Sequence, residues 1–351
     1  MKVFRFLLYP FALVYGIITI VRNFLFDTHL LSSKKFDIPT ISIGNISVGG
    51  TGKTPHSEYL IRLLQKHYQT AFLSRGYRRK THGFMLADAT SNAQLIGDEP
   101  FQVTQKFPKI QVAVDEKRVE GIEQLLQLSP ILQVVLLDDA FQHRYVQPGL
   151  SILLTDYHHL WTDDFLLPYG RLREPKCSSK RANIVIVTKC PENLSERQQA
   201  KIRNKLKIRQ SQSIYFTTYC YATPKALFHK NQGDITPDSS ILLVTGVVSA
   251  QGLETHLRTL TNNIQTLKFP DHHFFSAKDI CTIMSEYEKL PLENRMIIVT
   301  EKDAARLTSM NDKLPNLLKD TIYSIGIEVS FLNHRSEFDT KILNFISDFQ
   351  A

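Results

Sequence analysis

PTISIGNISVGGTGKTP, residues 39–55, is the stretch whose reading decides the fold. Pro39 to Ile46 reads as a short buried strand, with β-branched Ile41 and Ile43 ahead of a cluster of turn-formers. Ser47-Val48-Gly49-Gly50-Thr51-Gly52-Lys53-Thr54 follows, and then a helical pattern through Tyr59, Leu60, Leu63 and Leu64. Strand, glycine loop, Lys-Thr and helix form the layout of a phosphate-binding P-loop. Glycines let consecutive backbone N–H groups turn toward one anion, and the helix N-terminus adds partial positive charge. In that layout Lys53 reaches the β- and γ-phosphates and the Thr54 hydroxyl ligates Mg2+. One position departs from the G-x-x-x-x-G-K-[ST] pattern: Ser47 stands where the first glycine is usual, and Gly49 and Gly50 lie inside the loop. A tight turn without a ligand would account for the glycines, but not for the agreement of strand, loop, Lys-Thr and helix. The stretch predicts a nucleoside triphosphate site.

Downstream, Thr70 to Ser74 reads as a second strand, ending in Arg75-Gly76-Tyr77-Arg78-Arg79-Lys80. Four cations in six residues form either a solvated loop or a site for phosphate or an anionic substrate. Ile96-Gly97-Asp98-Glu99-Pro100 holds two carboxylates between Gly and Pro, and Asp98 is placed to cap a helix beginning at Pro100. Ile110 to Val114 and Ile131 to Leu137 read as parallel strands with a helix around Glu116 to Leu128 between them. The second is nearly all apolar, as a strand covered on both faces should be. It ends in Asp138-Asp139, an apolar strand closing on carboxylates, which is the Walker B arrangement for holding Mg2+.

Further strands are expected at Ser151 to Thr155 and Ile184 to Thr188, with Arg171 and Arg173 on the loop between them. Those arginines suit phosphate, or equally ion pairs with Glu174 or Asp163. A polar helix from about Pro191 to Lys207 separates this part from a second α/β unit. There we expect strands at Ile241 to Thr245, Arg295 to Thr300 and Ile322 to Val329, and helices at Gln251 to Leu260 and Ala277 to Tyr287. An amphipathic helix from Phe338 to Phe349 ends the chain. The adjacent His272 and His273 lack metal-ligand spacing, and general-base chemistry suits one of them better.

The 351 residues suffice for two domains, and 43% hydrophobic with 22% charged residues is ordinary for a folded chain. Four scattered cysteines without a C-x-x-C pair argue against a zinc site or a disulfide framework. A formal charge of +8 favours anionic partners without choosing among nucleotide, nucleic acid and membrane. Residues 3–26 hold the longest apolar run, with sixteen uncharged residues between Arg5 and Arg22. That is short of the roughly 20 needed to span a bilayer. Its aromatic load and flanking cations suit a helix in the membrane interface, with the body on the cytoplasmic side where ATP is. The other reading is a core helix.

The expected architecture is α/β: a P-loop NTPase-type parallel sheet with helices on both faces, a smaller second α/β domain and a membrane-associated N-terminal helix. Its divisions are 1–28, 29–207 and 208–351, and the last helix is able to pack back on the first domain. GNISVGGTGKTP (44–55), SRGYRRK (74–80), GDEP (97–100), LDDAFQHR (137–144), LPYGRLREP (167–175), FPDHHFF (269–275) and VTEKDAARL (299–307) together resemble the tetraacyldisaccharide 4'-kinase family of lipid A biosynthesis in Gram-negative bacteria. The Ser47 departure falls within what that family shows. The resemblance implies transfer of the ATP γ-phosphate to the 4'-hydroxyl of an acylated glucosamine disaccharide 1-phosphate, giving lipid IVA, at the cytoplasmic face of the inner membrane. It implies ATP and Mg2+, with no nucleic acid partner.

Carried over by motif, Ser47 to Thr54 hold the nucleotide. Lys53 and Thr54 serve phosphate and Mg2+, with Asp138 and Asp139 serving the metal and its water shell. Asp98 and His272 look like the acid–base pair acting on the sugar hydroxyl. Glu99, His143, Arg171 and Glu301 are further candidates for nucleotide or phosphate contacts. The alternative is a membrane-associated P-loop ATPase or nucleotide switch without a lipid acceptor, which would leave Asp98 and His272 without work.

Overall fold

The computed structural model describes residues 7–350, apart from 230, 231, 248, 249, 272, 309, 312 and 313. Helix α1 (Tyr9–Asp27) opens the described chain, with Pro10 in its first turn, where a missing N–H is no loss. Strand β1 (Thr40–Asn45) leads through the glycine loop into α2 (Lys53–Leu64). Then come β2 (Thr70–Ser74), β3 (Met85–Leu86), the short α3 (Ala93–Ile96), α4 (Asp98–Lys106), β4 (Gln111–Val114), α5 (Arg118–Leu128) and β5 (Val134–Asp138). Next are β6 (Leu150–Asp156), β7 (Ile184–Thr188), α6 (Glu196–Leu206) and β8 (Ser213–Tyr221). The second unit holds β9 (Lys225–Ala226), β10 (Ser240–Thr245), α7 (Gln251–Leu260), β11 (Asn263–Lys268), α8 (Ala277–Glu288), β12 (Arg295–Thr300), α9 (Glu301–Thr308), α10 (Asn316–Thr321) and β13 (Ile322–Ile325). The chain ends on β14 (Ile327–Phe331) and α11 (Arg335–Gln350).

Two sheets result. The larger has nine strands in the order β14-β8-β7-β6-β1-β5-β2-β4-β3, parallel except for β3 and β14 at its edges. The smaller has the order β11-β10-β12-β13-β9, with β9 antiparallel. Central strands are apolar on both faces because both faces are covered. Ile41, Ile43, Leu136 and Ile152 pack against Leu60 and Ile61 of α2 and Phe338 and Ile342 of α11. Their sequence neighbours point the other way: Val135 and Leu137 meet Ile122 and Leu125 of α5, and Leu153 and Val185 meet Trp161. Both β1 and β5 therefore end in the same plane, which brings the glycine loop beside Asp138.

Two expectations are corrected here. The apolar run Ile322 to Val329 is not one strand: Gly326 divides it into β13 on the small sheet and β14 on the large one. The division expected at Lys207 also precedes β8, which pairs with β7 and belongs to the large sheet. Its Ile214, Tyr215 and Phe216 continue the buried layers there, so the chain leaves that sheet only after Tyr221.

Candidate active site at the P-loop

The loop between β1 and α2 places its left-handed residues at Gly49 (φ +113°) and Gly52 (φ +87°), which only glycine adopts without strain. Ser47 makes no such demand. It forms an antiparallel bridge with Leu172, while the Val48 N–H donates to the Arg171 carbonyl and the Arg173 N–H to that of Ile46, both at 2.7 Å. Extended pairing explains why the first position of the motif does without glycine. At Gly52 a Cβ would lie 2.0 Å from the Tyr219 hydroxyl, so that position also excludes a side chain sterically. The loop's carbonyls are drawn outward: Thr188 Oγ1 donates to Thr51 (2.9 Å), Lys189 Nζ to Gly50, and His56 Nδ1 to Gly52 (2.8 Å). Burial holds His56 at about 4 against that last bond, so the ring is neutral and its Nε2 accepts from Thr217 Oγ1 at 3.0 Å. With those carbonyls committed, and the Val48 and Thr51 N–H groups bonded to Arg171 and Gly49, the remaining N–H groups of the loop are the ones suited to an anion.

The end of β5 supplies two carboxylates with different surroundings. Asp138 is buried and accepts from Ser57 (3.3 Å) and Ser74 (3.2 Å). Ser57 stands one turn after Thr54 on α2, so Asp138 lies along the face that carries the Thr54 hydroxyl. Burial, then repulsion from Glu99 and Asp139, pushes its pKa up to about 7 against the pull of Lys53. Asp139 turns out of the strand at φ +43° and meets Lys53 Nζ at 3.6 Å and Arg173 Nη1 at 3.0 Å. Thr54 Oγ1 donates to Glu99 at 3.0 Å, and Lys302 Nζ reaches the same oxygen at 2.6 Å. Lys302, with Lys53 and the Thr54 hydroxyl behind it, holds Glu99 down at about 2 against its burial.

Helix α9 of the smaller unit closes the other side. Arg306 donates to Asp98 through Nη2 (2.7 Å) and Nε (3.1 Å), and its Nη1 bonds Asp303 and the Gly246 carbonyl. Asp98 is thus no helix cap: α4 begins at Asp98 itself, after Gly97 at φ +94°. Glu301 pairs with Lys106 at 2.6 Å, and Lys106 also reaches the buried Glu58 of α2 at 2.6 Å. His272 lies outside the described residues. Its neighbour His273 bonds Asp279 at 2.9 Å and stacks on Phe269.

Arg171 is turned to Asp164 (2.9 Å), whereas Arg173 points to the carboxylates. His143, held near 4 by burial and by Arg118 and Arg75, stays neutral. Sequence reasoning raised Arg173 for phosphate only together with Arg171, and it missed Lys302 and Arg306 as site residues. The signal available was the four-residue spacing of Lys302 and Arg306 on one helix face. Among the described residues no three Cys, His, Asp or Glu side chains form a metal cage. Mg2+ bound with phosphate needs only one or two carboxylates besides.

A glycine loop with Lys-Thr at a helix start, on a parallel sheet and beside a strand closing on Asp-Asp, defines a P-loop nucleotide-binding protein of the phosphotransferase and hydrolase class. The comparisons with known proteins narrow that class. The family model described as tetraacyldisaccharide-1-P 4'-kinase matches residues 4–347. Tetraacyldisaccharide 4'-kinase of Phocaeicola vulgatus is 48% identical over 97% of this chain and 94% of its own length. That of Flavobacterium johnsoniae is 48% identical over 99% of each. The fold is also that of the LpxK crystal structure from Aquifex aeolicus, described as an "apo" form in complex with ATP. That structure is 25% identical and superposes with a TM-score of 0.77 over 98% of this chain and 99% of the other.

The chain belongs to the tetraacyldisaccharide 4'-kinase family. It is an ATP-binding kinase of lipid A biosynthesis.

Proposed function

We propose that the γ-phosphate of ATP is transferred here to the 4'-hydroxyl of tetraacyldisaccharide 1-phosphate, giving lipid IVA, with residues 47–54 around the nucleotide phosphates. The observation that carries this reading is the convergence of Lys53 and Arg173 on Asp139 beside Thr54 and Glu99. Phosphoryl transfer is catalysed mainly by positioning and by charge placed where charge develops. Lys53 meets the transferring phosphoryl group, and Asp139 orients Lys53 and Arg173. Thr54 and Asp138 would hold Mg2+, with Asp139 and Glu99 at its water shell. A carboxylate raised first by burial and then by its carboxylate neighbours is a place where a dication would relieve repulsion. Mg2+ held there would supply positive charge against the phosphates of the nucleotide. Asp98 with His272 is the acid–base pair for the sugar hydroxyl, Asp98 being steadied by Arg306.

The acceptor carries acyl chains, and α1 supports a membrane seat on the cytoplasmic face of the inner membrane. Its stripe against the body is Ala12, Tyr15, Gly16, Thr19, Arg22, Asn23 and Phe26, mostly small or polar. The outward face is apolar, with Phe11, Leu13, Val14, Ile17, Ile18 and Phe24 all exposed. A helix that turns its aliphatic side away from its own protein is matched to lipid. It touches the body from end to end: Tyr9 on Tyr169, Gly16 beside Leu166, Asn23 on Ser178, Phe26 on Tyr145. That continuous seam favours lying in the interface over spanning.

The test is transfer of label from γ-labelled ATP to the lipid acceptor with Mg2+ and detergent, beside a control without acceptor. Labelled lipid is expected, falling by about a hundredfold or more in Lys53→Ala. Label released as inorganic phosphate at equal rates with and without acceptor would mean an ATPase.

A further inference from the structure

The body-facing stripe of α1 does more than hold the helix in place. Tyr15 Oη donates to the Arg173 main-chain carbonyl at 2.8 Å. The Arg173 N–H is bonded to Ile46 at the end of β1, and its guanidinium reaches Asp139 and Gln142 Oε1 (3.4 Å). About two turns further along α1, Arg22 Nη2 donates to the Gln142 carbonyl at 2.8 Å, and Gln142 Nε2 donates to the Asn45 carbonyl at 2.7 Å. Arg22 also approaches the buried Glu174 at 4.0 Å, whose other oxygen is taken by Arg181. Residues 171–174 are therefore clamped between the root of the P-loop and the lipid-facing helix. The two contacts come from Tyr15 and Arg22, which share one helix face at i and i+7.

We propose that Tyr15 is a positioning residue for phosphoryl transfer. Its phenol, carried by the helix that meets the lipid, fixes the main chain of Arg173 so that the guanidinium stays on Asp139; Arg22 does the same for Gln142. Seating of α1 thereby sets the cation arrangement opposite Lys53. The inference rests on the reading that Asp139 and Arg173 belong to the transfer site.

A double-mutant cycle on the full-length enzyme tests it, with Tyr15→Phe, Arg173→Gln and the pair assayed on lipid acceptor in mixed micelles. Tyr15→Phe keeps the ring and loses one hydrogen bond, so kcat should fall about 3- to 10-fold while KM for ATP stays within about twofold. In the Arg173→Gln background the same change should cost less than about twofold, because the group it acts through is gone. Flotation with phosphatidylglycerol vesicles should be equal for wild type and Tyr15→Phe. Equal kcat for wild type and Tyr15→Phe overturns the proposal, as does a loss of the same size in both backgrounds. A loss of vesicle binding at unchanged kcat also overturns it, making Tyr15 an anchor. If Arg173→Gln alone retains full kcat, the site assignment itself fails and the inference with it. Arg22→Met supplies an independent check and should show the same split of kcat from KM.

Discussion

At the scale of single residues, His56 shows how the P-loop is held and at what pH. Burial keeps its imidazole neutral, with a folded value of about 4 against 6.5 for an exposed ring. On acidification the unfolded chain takes up this proton first, so stability rises with pH across that window. His56 contributes fully above about 6.5, and the contribution is lost as pH falls through 4. Urea midpoints at pH 7, 5.5 and 4.5 should therefore drop more steeply in wild type than in His56→Leu, with His143 leaving a residual slope in both. Parallel curves would mean that His56 is not buried neutral. In the same loop, Gly49, Gly52, Lys53 and Thr54 were legible from the sequence because each has a local reason, a left-handed turn or a helix start. The substitute at Ser47 becomes intelligible only with its bridge to Leu172, a partner more than a hundred residues away.

At the scale of elements, α4 and α9 form an electrostatic seam. Three pairs cross it: Asp98 with Arg306, Glu99 with Lys302, and Lys106 with Glu301. Arg306 and Asp303 are almost wholly buried, so removing the guanidinium leaves two carboxylates short of a partner. Arg306→Ala should cost about 3–5 kcal/mol of stability. Thermal melts check this, with Arg306→Lys expected between the two because it keeps charge without the two-pronged bond. An unchanged melting temperature would remove the seam from the stability of the fold. None of these pairs could be read from sequence, since each joins residues about two hundred positions apart.

The same limit explains the strand errors. Ser213 to Tyr221 is recognised as a member of the large sheet only through β7 and β14 on either side of it. The isoleucine-rich stretch at 322–329 conceals that its halves serve different sheets, with Gly326 the local hint. By contrast β2, β7, α7 and β12 fall where apolar runs and turn residues put them. Central strands covered on both faces carry their own pattern, whereas strands near the sheet margins, such as β8 and β14, and cross-unit contacts take theirs from partners.

At the scale of the whole molecule, two regions must work together: the charged site formed by Lys53, Asp139, Glu99 and Lys302, and an apolar flank made by α1 with the exposed Phe165 beside it. The helix is 19 residues long, about 28 Å at 1.5 Å per residue, and bonded to the body along its length. If its outward face is the lipid contact, that face can be weakened without touching the stripe that carries Tyr15 and Arg22. Ile17 and Phe24 are both well exposed and lie on it. Moving each such side chain out of lipid is worth about 1.5–3 kcal/mol. The Ile17→Ser, Phe24→Ser pair should accordingly lower partitioning onto phosphatidylglycerol vesicles by about a hundredfold or more, read by flotation. Turnover on acceptor dispersed in detergent micelles at saturating concentration should stay near wild type, because both side chains point outward from the face that carries Tyr15 and Arg22. Retained flotation would move the membrane contact elsewhere on the surface. Loss of turnover together with flotation would mean that the outward face, too, is coupled to chemistry, and that the separation of seat from site drawn from the two faces of α1 is false.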